Sequence, residues 1–138
     1  MIIVLDSNEY INYISKKSAG RTDFSAEKLF LDKNLSVAIN DPIIREVLRN
    51  ISEVQKKEFY RIISKNNINF YGELLPIHLL DKYKNLKLKK GDIAIAAFCE
   101  NINADYLISE NRHFLKGIKN TKFKIVNAEQ FIRKVLKE

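Results

Sequence analysis

The sequence predicts one α/β domain over residues 1–138, in which helices cover both faces of a central parallel sheet in a three-layer α/β/α arrangement. Two observations lead to this prediction. The opening segment Ile2–Leu5 is apolar at every position and is followed at once by a carboxylate, a pattern typical of a strand buried on both faces. Further short apolar segments then alternate along the chain with segments that show helical spacing, and such alternation favours a parallel sheet covered by helices. A chain of 138 residues is long enough to form one such domain.

Four later segments are predicted as strands because they are short, rich in apolar residues and followed by a polar residue or a glycine. They are Leu35–Ile39, Ile68–Tyr71, Tyr106–Ile108 and Phe123–Val126.

Helices are predicted between the strands. Ser7 and Asn8 belong to the residue types that cap helices, and they precede a predicted helix at Glu9–Ser15. Pro42 suits the first turn of a helix because its missing N–H has no partner there, and apolar residues follow it at helical spacing. The other predicted helices are Ser25–Leu31, Ile51–Asn66 after a bend near Asn50, Pro76–Tyr83, Asp92–Asn101, a turn at Arg112–Leu115 and a closing helix capped by Asn127.

Composition and charge restrict the location and the partners of the protein. No apolar run approaches the ~20 residues of a membrane-spanning helix, and the first residues lack the pattern of a signal peptide. We therefore expect a cytoplasmic protein that does not enter a membrane. The single cysteine, Cys99, excludes an internal disulfide and fits a reducing compartment. A formal net charge of +7 fits either a polyanion, such as a nucleic acid, or an acidic protein as the partner.

Polar residues stand where several predicted elements end or begin. Asp6 ends the first strand, and Glu110 and Asn111 follow the fourth strand. Because the carboxyl ends of parallel strands meet at the same edge of a sheet, we expect these residues to share that edge. Asp92 opens an almost wholly apolar helix and Glu46 lies on the helix after the second strand, so both can point to the same place.

Carboxylates that converge repel one another unless a proton or a cation lies between them. Mg²⁺ prefers oxygen ligands and is usually held by one or two carboxylates together with water and substrate phosphates. Such a metal activates water and offsets the charge of a phosphodiester. Each acid also has a simpler interpretation, with Asp6 and Asp92 as helix caps, Glu46 as a solvated helix residue and Glu110 as a loop residue.

A second reaction class is a phosphatase or other phosphotransferase, in which Asp6 at the end of a strand would be the nucleophile. Those enzymes usually carry a second Asp two residues later, where this chain has Asn8, and no glycine-rich phosphate loop follows. The sequence therefore favours the metal site over this alternative.

Several segments together resemble a known family. They are IIVLDSN at the start, DPIIREVL after the second predicted strand, KKGDIAIAAFCENINADYLISENRHF, and a closing strand and helix. In combination, and over essentially the whole chain, they resemble the PIN-domain family, and within it the small VapC-type toxins of prokaryotic toxin–antitoxin pairs. The third segment is the most specific part of the resemblance.

The resemblance implies an endoribonuclease that depends on Mg²⁺ or Mn²⁺, with its acidic core at Asp6, Glu46 and Asp92. Asp6 and Asp92 would hold the metal directly, and Glu46 would ligate it or orient the attacking water. The fourth polar position of the family falls on Asn111, where many members carry Asp, and Asn111 would bind a water on the metal. The neighbouring acid Glu110 is a possible substitute at this fourth position.

The resemblance also places small hydroxyl residues at Ser7 and Ser109, which would hold a carboxylate or a water in place. It implies a homodimer, an RNA substrate and a small antitoxin protein whose tail occupies the acidic cleft. Two alternatives stay open, a non-catalytic PIN-like module that binds RNA or protein, and an RNA-processing PIN nuclease outside a toxin–antitoxin pair. Cations that would contact RNA phosphates are Arg45, Lys89, Lys90 and Arg112.

Overall fold

The computed structural model of the chain describes residues 1–21, 25–65, 67–86, 88–111, 114–115, 118 and 121–138. Within them, five strands form one sheet in the order β3-β2-β1-β4-β5, and every pair of neighbours is parallel. The strands are β1 (Ile2–Leu5), β2 (Ser36–Asn40), β3 (Ile68–Tyr71), β4 (Tyr106–Ile108) and β5 (Lys124–Val126). The opening segment is therefore the middle strand of the sheet, and its residues Ile3, Val4 and Leu5 are fully buried, as the sequence predicts.

Seven helices within the described residues cover this sheet. They are α1 (Ser7–Ser18), α2 (Ser25–Leu31), α3 (Asp41–Arg49), α4 (Glu53–Ile63), α5 (Ile77–Lys84), α6 (Lys90–Asn101) and α7 (Ala128–Lys134). α1 packs against α2, α3 and α4, α2 packs against α7, and α5 packs against α6. The predicted three-layer α/β/α arrangement is confirmed. None of the helices that the structure describes has both the length and the apolar character to cross a bilayer.

An aromatic cluster fixes α1 to its neighbouring helices. The ring of Tyr10 stacks on Phe30 of α2 at 5.6 Å between centroids and meets Phe59 of α4 edge-on at 5.8 Å. All three side chains are buried, and aromatic pairs of this geometry contribute about 0.5–1.5 kcal/mol beyond their burial. The cluster holds the start of α1 firmly at the end of β1, which is where the candidate site lies.

The predicted start of the first helix is wrong by two residues. α1 begins at Ser7, so Ser7 and Asn8 lie inside its first turn and do not cap it. Asp6 stands in the N-cap position, but its side chain makes no capping hydrogen bond, which removes the helix-cap interpretation of this acid. The backbone N–H of Asp6 still belongs to the sheet, since it donates to the Ile108 carbonyl at 2.9 Å. The chain thus passes from strand to helix within one residue.

Other helix boundaries also differ from the prediction, including that of α5, which spans Ile77–Lys84 where Pro76–Tyr83 is predicted. The segment predicted as one helix, Ile51–Asn66, forms α4 only over Glu53–Ile63. A capping box explains this start, because Ser52 Oγ accepts from the Gln55 N–H at 3.3 Å and Gln55 Oε1 accepts from the Ser52 N–H at 2.9 Å. α6 begins at Lys90, so Asp92 lies within its first turn, and the interpretation of Asp92 as a helix cap is wrong.

Candidate functional site

Asp6 and Ser109 meet at the carboxyl edge of the sheet because β1 and β4 are neighbours. Leu5 pairs with Ile108 in the parallel register, which brings the next residue of each strand together. Ser109 is fully buried, and its Oγ donates a hydrogen bond to Asp6 Oδ2 at 2.7 Å. Ser7 Oγ donates to the other carboxylate oxygen, Oδ1, at a longer 3.4 Å. The two hydroxyl residues of the sequence analysis therefore both hold the Asp6 carboxylate.

Asp6 is a buried acid whose neighbours include other acids. It is 5% exposed, and this burial is the largest cause of a pKa that is raised above the ordinary value. The Ser109 hydrogen bond lowers the pKa of Asp6, whereas the charges of Glu46 and Asp92 raise it further. The structure thus brings Glu46 and Asp92 each close enough to Asp6 for their charges to act on its carboxylate.

Glu46 reaches the site from α3, whose start is fixed by the end of β2. The buried Asn40 caps this helix, since its Oδ1 accepts from the Ile43 N–H at 3.3 Å. Glu46 then faces the first turn of α6, where a Cβ atom built on Gly91 would lie 4.0 Å from Glu46 Oε2. The missing side chain of Gly91 therefore leaves room beside the Glu46 carboxylate.

Asn111 connects Asp92 to the Ser109–Asp6 pair. Its side-chain Nδ2 donates to Asp92 Oδ1 at 3.5 Å, and its backbone N–H donates to Ser109 Oγ at 3.0 Å. An amide suits this place because it offers a donor to a carboxylate, whereas an Asp would add another negative charge. The four polar positions of the resemblance thus lie in one group at the carboxyl edge.

Glu9 is an acid of this region that the sequence analysis missed. It lies one turn after Asp6 on α1 and is 6% exposed. Its carboxyl group is in hydrogen-bonding contact with that of Glu110, and burial, with a further contribution from Glu110, raises the pKa of Glu9 to about 9. Glu110 Oε2 in turn accepts from the Ala128 N–H at 3.4 Å. The spacing of Glu9 from Asp6 was the available signal, because residues three apart on a helix lie on one face.

The donor set fits a hard divalent cation. Asp6, Glu46 and Asp92 provide oxygen ligands, and the repulsion among them is the kind that such a cation relieves. No three acids within the described residues are close enough together to surround one ion. Mg²⁺ in proteins is usually held by only one or two carboxylates, with water in its other positions.

A groove runs between α3 and α6 beside Glu46, and its mostly uncharged lining includes three cations. It is a cavity of about 420 Å³ whose lining includes Arg45, Glu46 and Arg49 from one side and Lys90 and Gly91 from the other. Arg49 lies three positions after Glu46 and four after Arg45, so on α3 it is a neighbour of each of them. The groove therefore carries positive charge directly next to a carboxylate of the site.

The other two predicted phosphate contacts are Lys89 and Arg112. Lys89 is exposed just before α6 and is not part of the groove lining, and Arg112 lies outside the described residues. A larger cavity of about 660 Å³ is lined by Met1 and Ser36, at the amino ends of the strands, and none of the candidate acids lines it.

Comparisons with known proteins support the fold. No protein-family model and no curated protein sequence matches the chain. A chain of the crystal structure of VapBC2 from Rickettsia felis bound to a DNA fragment from their promoter matches it with a TM-score of 0.70 and 16% sequence identity. The match covers 92% of this chain and 98% of that chain. At this identity the likeness shows the fold, and the chain therefore has a PIN-like α/β/α fold with a central parallel sheet.

Proposed function

We propose that this protein is a metal-dependent endoribonuclease that uses Mg²⁺ or Mn²⁺, and that it is the VapC-type toxin of a toxin–antitoxin pair. The observation that carries the proposal is the group formed by buried Asp6 with Glu46 and Asp92 at the carboxyl edge of the sheet. This edge is where ligands bind in open α/β folds. The fold shared with a chain of VapBC2 from Rickettsia felis supports the same family of activities.

Asp6 and Asp92 would hold the cation, which when bound lowers the pKa of water and offsets negative charge on a phosphodiester. Ser109 favours the charged form of Asp6 through its 2.7 Å hydrogen bond, and so keeps a ligand oxygen ready. Glu46 lies across the groove from the start of α6, where its carboxylate can orient a water for attack. Asn111 positions Asp92 through its side-chain amide and can donate to a water as well.

Metal-dependent cleavage is the direct test. Purified protein is incubated with RNAs that contain single-stranded loops, in Mg²⁺ and in EDTA. We expect endonucleolytic products in Mg²⁺ only, and none from Asp6→Asn, which has nearly the same shape but lacks the charge. Cleavage by Asp6→Asn at the rate of the unmodified protein would contradict the catalytic assignment. Binding of RNA without any cleavage would indicate a non-catalytic PIN-like module instead.

The groove between α3 and α6 is our candidate path for the RNA strand beyond the cleaved bond. Arg45 and Arg49 lie about one helical turn apart and line the groove with Lys90. Cations of this kind bind phosphates without reading sequence. The net charge of +7 is of the sign that an RNA partner needs.

The double variant Arg45→Gln/Arg49→Gln is expected to bind single-stranded RNA more weakly and with a smaller dependence on salt. Each phosphate contact to a single strand contributes about 0.7 to the slope of log K against log salt, so two lost contacts reduce the slope by about 1.4. Fluorescence anisotropy with a labelled oligonucleotide measures it in the Asp6→Asn background. The control Lys57→Gln/Arg133→Gln removes the same charge from exposed positions elsewhere. Equal slopes for the two double variants would exclude the groove as the path.

A toxin of this kind needs a partner that blocks it. We propose a homodimer whose acidic sites are covered by the tail of a small antitoxin, with an Arg or Lys against the carboxylates. Co-expression with a small neighbouring reading frame and co-purification measure that contact. If the protein is harmless when expressed alone but cleaves RNA in vitro, an RNA-processing PIN nuclease becomes the better assignment.

A further inference from the structure

The cavity at the amino ends of the strands has no role in the proposed function. Its volume of about 660 Å³ lies in the range of cavities that bind small molecules. Met1, Ser36 and Asn67 stand at or just before the starts of β1, β2 and β3, and they line the cavity together with the end of α2. Since Asp6 follows the carboxyl end of β1, this amino-edge cavity and the candidate active site lie at opposite edges of the sheet.

The charged side chains that line the amino-edge cavity are, among the described residues, both cations. Lys33 is exposed and Lys65 is half-buried, and neither forms an ion pair with a described acid. The neighbouring acid Asp32 is not part of the lining, and its Oδ1 accepts from the Asn34 N–H at 2.8 Å. The cavity therefore offers positive charge to an anionic group of a ligand.

Polar side chains beside these cations are held in fixed positions. Asn69 Nδ2 donates to Ser36 Oγ at 2.7 Å. Asn67 Nδ2 donates to the backbone carbonyls of Leu29 and Asp32 at 3.1 Å each. Within the described residues the Nδ2 atom of each amide is thus engaged, which leaves its Oδ1 as an acceptor, and the Ser36 hydroxyl keeps a proton to donate. All three side chains line the cavity, so a ligand with hydroxyl or amine groups can bond to them.

The end of α2 gives the cavity an apolar wall. Leu31 is 57% exposed and Met1 is 52% exposed, and both line the cavity with the buried side chains of Phe30 and Leu35. A single exposed apolar side chain is common on a protein surface. Here two of them border one cavity that also holds cations and fixed amides, which suits a ligand with an apolar ring as well as an anionic group.

We propose that the amino-edge cavity binds a nucleoside monophosphate. The phosphate lies at Lys33 and Lys65, and the base lies against Leu31. The ribose hydroxyls bond to the amides of Asn67 and Asn69. A fatty acid would leave these amides without partners, and a sugar phosphate would leave the apolar wall in water, so neither matches all three parts of the lining.

Isothermal titration calorimetry of the full chain in EDTA tests this proposal. The protein is titrated with AMP, GMP, CMP and UMP, and then with ribose 5-phosphate, decanoate and the nucleoside of the tightest mononucleotide. We expect one mononucleotide to bind per chain, and we expect the nucleoside and ribose 5-phosphate each to bind at least about tenfold more weakly, since each lacks one group of contacts. The chelator excludes binding through a metal at the candidate active site.

The double variant Lys33→Gln/Lys65→Gln is expected to weaken mononucleotide binding by about tenfold or more, because both cations at the phosphate are lost. The control Lys57→Gln/Lys84→Gln removes the same charge from exposed positions on α4 and α5 and should bind like the unmodified protein. Circular dichroism checks that each variant is folded.

Leu31→Ala tests the place of the base without a change of charge. It should weaken binding of the mononucleotide but leave binding of ribose 5-phosphate unchanged. The control Val54→Ala truncates an apolar side chain of α4 that is 83% exposed and should change neither. A 5′-phosphorylated trinucleotide in the same assay distinguishes the source of the ligand. Tighter binding than that of the mononucleotide indicates the 5′ end of an RNA, weaker binding indicates a free nucleotide, and either result supports the site.

Three results would overturn the proposal. The first is that none of the mononucleotides binds, and the second is that ribose 5-phosphate or decanoate binds as tightly as the best of them. The third is binding that Arg45→Gln/Arg49→Gln abolishes while Lys33→Gln/Lys65→Gln leaves it unchanged, which would place the nucleotide in the groove between α3 and α6. None of these results depends on RNA cleavage, so this proposal and the proposed function can fail independently.

Discussion

Asp92→Ala is expected to abolish metal-dependent RNA cleavage while the protein stays folded. The side chain lies in the first turn of α6, where an acid contributes about 0.3–1 kcal/mol through the helix dipole. That loss is small against a typical domain stability of about 5–15 kcal/mol. Without metal the change can even stabilise the fold, because the charge of Asp92 raises the pKa of Asp6 and its removal relieves that repulsion.

Thermal melts in EDTA measure the stability of the fold without metal, and melts in Mg²⁺ measure the stabilisation that metal binding adds. A ligand at 100 times its Kd stabilises a folded protein by about 2.7 kcal/mol, so the unmodified protein should melt at a higher temperature in Mg²⁺. Asp92→Ala should gain much less. The control Asp41→Ala removes an exposed acid from the first turn of α3 and should respond like the unmodified protein. If Asp92→Ala matches that control in melting and in cleavage, Asp92 has no role in metal binding.

Ser109→Ala is expected to weaken metal binding by about 10–100-fold, the range found when a residue that supports a metal ligand is removed. Ser109 Oγ holds Asp6 Oδ2 at 2.7 Å and also accepts from the Asn111 N–H. The hydrogen bond from Ser109 lowers the pKa of Asp6. The variant lacks this bond, so the pKa of Asp6 is higher in it. A metal binds the deprotonated carboxylate, and the acidic limb of the cleavage profile should therefore move to higher pH.

Ser7→Ala is the matched control for this prediction. Ser7→Ala removes the same hydroxyl oxygen, but this oxygen lies 3.4 Å from Asp6 Oδ1. The loss of metal affinity and the shift in pH should therefore be much smaller. Cleavage rates over a pH series, at Mg²⁺ concentrations around the Kd, show both the weaker binding and the shift. A Ser109→Ala profile that coincides with that of Ser7→Ala would show that this hydroxyl does not control the charge of Asp6.

The sequence predicts the elements whose signals are local. The segment Ile2–Leu5 is a central strand because every residue in it is apolar, and Ser25–Leu31, Ile68–Tyr71 and Tyr106–Ile108 form elements with the predicted bounds. The start of α1 was placed too late because the strand ends, and the helix begins, where the Asp6 N–H donates to the Ile108 carbonyl, about a hundred residues away. Such a partner leaves no trace in the neighbouring sequence.

The same distinction holds for the site. The shared position of Asp6 and Asn111 follows from a parallel sheet, since each comes just after a predicted strand. The positions of Glu46 and Asp92 on their helices allow them to point to the same edge, but helix residues carry no comparable rule of position, and their roles came from the resemblance. Glu9 was missed because its burial depends on the contact with Glu110 and on the packing of α1, and both involve distant parts of the chain.

The one-residue passage from β1 to α1 has a consequence for the dynamics of the site. The N–H of Asp6 is bonded to Ile108 and its C=O accepts from the Glu9 N–H, both at 2.9 Å. No flexible loop lies between the central strand and this carboxylate, so its backbone can be displaced only when the sheet itself opens. The amide hydrogen of Asp6 should therefore exchange with solvent as slowly as those of the core, by global unfolding rather than local fraying. The backbone position of the Asp6 carboxylate is then set once, when the chain folds, and stays fixed for as long as the sheet is intact.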